Sequence, residues 1–284
     1  MSEQKTATRF AATHDEYHAS PGHSASRFRL FDSDPIEFYH VHVAKDWRPK
    51  PPTESMEFGT QIHLLAEHRF QNRQIVADIP ADVLSKSGSR AGAAWKAWEA
   101  EHAGMIHLKP GEQNPFAIIK ENLRGHDDAW WLVDNDAAER EVNVRWVDAE
   151  TGLMCRSRLD LVSRGVIVDY KTTGKMSHRE CQTTFEHYKY HQQLAFYQRA
   201  WYELTGEIFP CVVIAIGNVR PWAVAAYEID QSWIDRGRVE MDAIMTRYMD
   251  CEASGNWIPD DHKVILKMGE PKWAAYQDDF RVED

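Results

Sequence analysis

The chain has 284 residues, 43% of them hydrophobic and 27% charged, with a formal net charge of −11. That composition suits one large globular domain or two small ones and excludes disorder over most of the length. The acidic balance excludes a uniformly basic coat for nucleic acid, although not a local basic groove.

In chain order, residues 1–23 read as a loose polar leader; the opening MSEQKTATRF lacks the apolar core of a signal peptide. A Ser-Ala-Ser start predicts a helix from about Ser24 to Val43. Three prolines in the stretch 47–55 (WRPKPPTES) make a linker, and Thr53 or Ser55 is placed to cap the next helix, about Met56 to Gln71. Segments 90–104 and 115–133 also read as helices, separated by Pro110-Gly111.

The period changes near residue 138. Glu141 to Val147 alternates with period two, Leu153 to Val162 is a second strand, and Val166 to Lys171 a third beyond a tight Arg164-Gly165 turn. Helices follow at about 177–187 and 189–205, then a strand after Pro210, a partner strand from Trp222 to Ile229, and a helix from Ser232 to Ala253. The pattern predicts an α/β fold with a helical N-terminal cap: residues 1–50 as leader and helical segment, and 51–284 as the main domain. The apolar run around Val212–Ile216 is too short to cross a membrane. Cys155, Cys181, Cys211 and Cys251 form no CxxC and read as reduced thiols, which predicts a cytoplasmic protein.

The meander carries the chemistry. A two-residue turn at Arg164-Gly165 places Ser163 opposite Val166, Val162 opposite Ile167, Leu161 opposite Val168, Asp160 opposite Asp169, and Arg158 opposite Lys171. Like charges facing each other across strands are destabilising unless a cation lies between them. Two carboxylates suit a hard divalent ion bound through oxygen rather than zinc. A surface hairpin with two ion pairs is the alternative reading. Two helical pairs with i, i+4 spacing add to the pattern: His63 with Glu67, and Gln193 with Tyr197.

These residues resemble the PD-(D/E)XK nuclease superfamily, and within it the exonuclease VIII (RecE-like) branch. The resemblance rests on GTQIH with His63, RSRLDLV with Asp160, IVDYKTT with Asp169 and Lys171, and Y-H-x-Q-x-x-x-Y with Gln193 and Tyr197. The DEYHASPGHSAS leader, Trp222 and the late CEASGNW also match, so it spans nearly the whole chain. It implies a restriction-endonuclease-like core, a mixed central sheet flanked by helices. It further implies Mg²⁺ or Mn²⁺ held by Asp160, Asp169, His63 and the Tyr170 carbonyl. Lys171 would act on the attacking water, with Gln193 and Tyr197 orienting. Glu67 and Glu141 compete for a further acidic ligand position. The implied activity is Mg²⁺-dependent degradation of linear double-stranded DNA, 5′ to 3′, in recombination or DNA processing. The implied partners are DNA ends, a single-strand annealing protein and further copies of the chain in a homo-oligomer. A single-strand nuclease or endonuclease, or an inactive DNA-end-binding protein, are the alternatives.

Seven basic and four acidic residues leave the segment 151–190 at +3, so Arg156, Arg158, Lys175 and Lys189 are expected to contact DNA. Gly174-Lys175 lacks the rest of a P-loop, and no G-x-S-x-G elbow occurs. His187 and His191 lack the acid of H-E-x-x-H and read as solvated or DNA-facing; Trp95, Trp98, Trp130 and Trp131 read as core or interface.

Overall fold

The computed structural model describes residues 7–48, 51–70, 76–103, 105–111 and 113–269. The start of the leader, Gln71 at the expected helix end, and residues 270–284 lie outside them. The first elements are β1 (Thr8–Arg9), α1 (His14–Ala19), α2 (Ala25–Ser33), α3 (Pro35–Phe38) and a π-helical turn, Tyr39–Val43. α4 (Glu54–Glu67), β2 (Val76–Asp78), α5 (Ala93–Glu101), β3 (Ile106–Leu108), α6 (Pro115–Arg124) and α7 (Asp127–Val133) follow. The second half holds β4 (Glu139–Val147), β5 (Met154–Ser163), β6 (Val166–Thr173), α8 (His178–His187), α9 (Tyr190–Thr205), β7 (Cys211–Gly217), β8 (Val224–Glu228) and α10 (Gln231–Ser254).

Caps explain most boundaries. Ser24 caps α2 and Thr53 caps α4, each accepting a backbone N–H through its hydroxyl. The helix expected to run from Ser24 to Val43 breaks at Asp34, whose carboxylate accepts the Glu37 N–H at 2.8 Å. Pro35 then starts α3, because it has no N–H to continue the preceding turn. The helix expected over 115–133 divides at Gly125.

Six strands form the central sheet in the order β1-β4-β5-β6-β7-β8. All neighbours are antiparallel except β6 and β7, which α8 and α9 connect as a crossover. β2 and β3 make a separate parallel pair of three residues each, too short to leave a period-two signal. The sheet is mixed and flanked by helices, as the sequence implied. One face packs on α2, α9 and α10 through Phe28, Trp146, Phe196, Met245 and Tyr248. The other packs on α4, α6 and α7 through Ile62, Leu65, Ile119, Leu123, Tyr170 and Ile214. α9 and α10 touch so closely that a Cβ on Gly237 would lie 2.4 Å from the His191 carbonyl. No helix among the described residues is long and apolar enough to cross a membrane.

The described part of the leader is tied down rather than loose. β1 extends the sheet on β4, and His23 bridges to Cys155. A capping box, Thr13 with Glu16, starts α1. Arg156, expected on the DNA, is buried from solvent and caps the end of this helix instead. Its guanidinium donates to the carbonyls of Tyr17, His18 and Ser20 and lies over the Tyr17 ring. Cationic groups suit the carbonyl end of a helix.

His23 is packed against Phe28 and Tyr248, with ring centroids 5.1 and 4.6 Å away. Burial, reinforced by Arg27 and Arg156, pushes its pKa down from 6.5 to about 4. The neutral ring is therefore the folded form, and its contribution to stability is present above pH 6.5 and lost as pH falls through about 4. This group should cost roughly 3 kcal/mol of stability over that fall. Urea denaturation of wild type and His23→Phe should show a shallower acid loss in the variant; parallel curves would exclude His23 as the source.

Candidate active site

The site forms beside β4, where the ladder between β5 and β6 ends. The β5–β6 ladder keeps the predicted register as far as Leu161 opposite Val168. Beyond it Asp169 pairs with Val213 and Lys171 with Ala215 on β7, while Arg158 pairs with Asn143 on β4. The β5–β6 ladder ends there, so the expected pairing of Asp160 with Asp169, and of Arg158 with Lys171, is not among its pairs, while β6 keeps its pairing with β7 on the other edge from Ile167 to Thr173. Asp160 Oδ2 reaches across the opening to accept the Tyr170 N–H at 2.9 Å.

The carboxylate that does face Asp160 is Glu141. β4 pairs Arg140 with Leu161 and Val142 with Leu159, so the residues between them stand opposite each other. Glu141 has φ of 51°, the left-handed region, which costs a residue with a Cβ on the order of 1–3 kcal/mol. The faces of β5 reset at this point. Leu159 and Val162 join one core and Leu161 the other, whereas strict alternation would put Leu159 and Leu161 on the same side.

α4 brings His63 to this kink, with Nδ1 3.4 Å from Asp160 Oδ2. One donor atom each from His63, Glu141 and Asp160 lies within 4.8 Å of the others. An imidazole and two carboxylates at this spacing fit an oxygen-preferring divalent cation. Glu141 thus separates from Glu67: both line the same cleft, a cavity of about 490 Å³, but Glu67 is outside the cluster. Lys171 Nζ sits 2.5 Å from Asp169 Oδ2 and 4.8 Å from the centre of the Tyr190 ring. Gln193 Nε2 donates to the Tyr197 hydroxyl at 2.7 Å and approaches Asp169 Oδ1 at 3.5 Å.

The charges are finely opposed. Burial and the Asp160 charge lift Glu141 to about 7, against the pull of Arg158. Burial also raises Asp169, although Lys171 pulls the other way. At Asp160 burial is outweighed by His63, Lys171 and the Tyr170 N–H, so its pKa is lowered; His63 is raised because Asp160 outweighs its own burial. Three carboxylates, Glu141, Asp160 and Asp169, thus stand against Arg158, His63 and Lys171 respectively.

The expected DNA contacts change accordingly. Arg158 lines the cleft, but its guanidinium is committed to Glu141 and the Ala12 carbonyl. Lys189 pairs with Glu186 at 3.0 Å, and Lys175 is exposed. His191 is buried against Glu240 at 2.8 Å rather than solvated. Trp95 is buried, whereas Trp131 is exposed with Arg164 over its ring. The cleft also contains His14 and His18, whose Nε2 atoms are 3.1 Å apart. Their i, i+4 spacing was the available signal, obscured by reading the leader as loose.

Residues 24–261 match the family described as PDDEXK-like domain of unknown function (DUF3799). The fold resembles the crystal structure of a candidate exonuclease from Eubacterium rectale at a TM-score of 0.60 and 14% identity, covering 94% of this chain and 98% of that one. A phage-related exonuclease from Haemophilus somnus aligns at 0.33 and 13% identity, over 66% of this chain and 95% of that one. An alkaline exonuclease from Laribacter hongkongensis aligns at 0.27 and 17% identity, over 66% and 98%. No curated protein matches the chain in sequence.

Because folding raises the proton affinity of Glu141, its stabilising contribution is complete below pH 4.5 and fades as pH rises through about 7. A divalent ion competes with that proton and should stabilise the fold more as pH rises. In EDTA, Glu141→Gln should lose less stability than wild type across pH 4.5 to 7. At the upper end of that range Mn²⁺ should raise the Tm of wild type and have little effect on the variant. An equal rise in both would remove Glu141 from the ion site.

Proposed function

Since the chain belongs to the PDDEXK-like domain family (DUF3799), we propose that it is a divalent-metal-dependent deoxyribonuclease that hydrolyses linear double-stranded DNA from its ends, 5′ to 3′. The observation that carries this reading is the convergence of His63, Glu141 and Asp160 within 4.8 Å beside the Lys171–Asp169 pair. A structural salt-bridge cluster would not need two carboxylates facing each other across one strand pair.

In this reading His63, Glu141 and Asp160 hold Mg²⁺ or Mn²⁺, with Asp169 and the Tyr170 carbonyl as further ligands. The ion supplies charge neutralisation at the phosphoryl group undergoing attack. Lys171 orients the attacking water and stabilises negative charge that grows on the phosphoryl oxygens. Gln193, tied to Tyr197 and close to Asp169, keeps the Lys171–Asp169 corner in register with the scissile strand. The exposed Lys175 contacts the DNA backbone.

The finer assignments follow from the sequence motifs: a RecE-like branch, and work on DNA ends in recombination or processing. They extend to a homo-oligomer, a single-strand annealing protein as partner, and the cytoplasm as the place of action. Residues 1–50 are read as an N-terminal leader and helical segment and 51–284 as the nuclease domain. The free thiols of Cys155, Cys181, Cys211 and Cys251 are in keeping with a reducing compartment.

Purified protein with Mg²⁺ or Mn²⁺ should release nucleotides from the 5′-labelled end of linear duplex DNA and spare covalently closed circles. Cutting of both forms at equal rates would replace the exonuclease reading with an endonuclease. Lys171→Ala should lower turnover roughly a hundredfold or more while still folding and binding Mn²⁺. Unchanged turnover would place the chemistry elsewhere.

A further inference from the structure

The proposed chemistry leaves Lys171 with a conflict. Its ammonium lies 2.5 Å from Asp169, a carboxylate that the nuclease reading also assigns to the ion. A carboxylate turned toward a divalent cation gives up much of its hold on a neighbouring ammonium. The other partner of Lys171 is the face of Tyr190, whose centroid lies 4.8 Å from Nζ, inside the range of a cation–π contact.

Tyr190 is held to that task by its surroundings. It is the first residue of α9, and Lys189 before it has φ 55° and ψ 42°, a left-handed turn between α8 and α9. Backbone strain of this kind persists only where packing enforces it. Phe185 on α8 packs on the ring at 5.5 Å, and Tyr188 stacks on it at 5.8 Å with planes 17° apart. The Tyr188 carbonyl is in turn fixed by Arg29 of α2 at 2.9 Å. Burial, with the Asp169 charge adding to it, raises the Tyr190 phenol well above its ordinary value, so the ring meets Lys171 as a neutral π face.

We infer that Tyr190 is a positioning residue for Lys171: its ring holds the ammonium at the reaction centre when Asp169 serves the ion. The inference rests on the nuclease reading for its purpose but not for its geometry, and the two are tested apart. The geometry is read without metal or DNA, by ¹³C reductive methylation of the lysines and NMR. The dimethylated Lys171 signal, assigned with Lys171→Arg, should show an upfield ring-current shift that Tyr190→Phe keeps and Tyr190→Leu loses. A shift that survives in Tyr190→Leu overturns the inference.

The purpose is read on linear duplex DNA. Tyr190→Phe should keep kcat within about twofold, and Tyr190→Leu should lower it about tenfold with little change in KM. Phenylalanines of increasing fluorination at position 190 should lower kcat stepwise, because fluorine weakens the ring's negative face without changing its packing. Turnover independent of fluorination would reduce Tyr190 to a packing residue and overturn the inference, and this series decides if Tyr190→Leu does not fold. A wild-type protein inactive on every form of DNA would sink the nuclease reading, leaving the Lys171–Tyr190 contact to the NMR result.

Discussion

Two carboxylates face each other across β4 and β5, and the surrounding structure is arranged to hold them there. Glu141 and Asp160 occupy opposed positions in a ladder whose flanking pairs are Arg140 with Leu161 and Val142 with Leu159. Left to themselves they would repel. Each is therefore met by a cation from a different part of the chain: Glu141 by Arg158 from the same strand pair, and Asp160 by His63 from α4. The left-handed backbone at Glu141 and the shift of facing along β5 show that the sheet bends to bring them together. Strain of that sort is retained where the neighbours over-determine it.

Those neighbours are the two cores. Because helices cover both faces, β6 and β7 present apolar residues on each side: Ile167 and Val213 to one, Val168 and Ile214 to the other. A sheet buried on both faces cannot slip in register without exposing one set. The site thus sits at the end of a rigid strand pair, and His63 is delivered by a helix whose Ile62 and Leu65 are anchored in the second core. The N-terminal segment lines one side of the cleft through His14, Tyr17 and His18. Arg156, standing between Cys155 and Ser157 on β5, clamps α1 and so fixes His14 and His18 at the cleft wall.

Much of this was legible before the coordinates. Periodicity placed β4, β5 and β6 and the helices around them, since strong alternation and capping residues are local signals. The turn at Arg164-Gly165 fixed the first three pairs of the β5–β6 hairpin. What failed was extending that hairpin by two more residues. Asp169 and Lys171 lie beyond the last β5–β6 pair although β6 stays paired with β7 throughout, and the point where a ladder ends leaves no local mark in the sequence. The facing of Glu141 could have been found by counting from the Asp148–Leu153 turn, across which Val147 pairs with Met154. Its positive φ could not, because a glutamate gives no hint of it. Arg156 was misplaced for a related reason: a basic residue near an acidic cluster looks solvent-facing until α1 is seen to need a cap.

The corrected placements alter the electrostatic argument for DNA. The sequence segment 151–190 carries a surplus of positive charge, but the fold uses most of it internally. Arg156 is spent on α1, Arg158 on Glu141, Lys171 on Asp169 and Lys189 on Glu186. The cleft is lined by Glu67, Glu141 and Asp160, by Arg156 and Arg158, and by imidazoles, and both guanidiniums are already bonded within the protein. In the proposed function a divalent ion held by His63, Glu141 and Asp160 would add positive charge beside those carboxylates, where a phosphate would have to approach. Away from the cleft, exposed cations such as Lys175 belong to a chain of net charge −11, so in the proposed function phosphate attraction would centre on the ion-bearing cleft rather than on the surface at large.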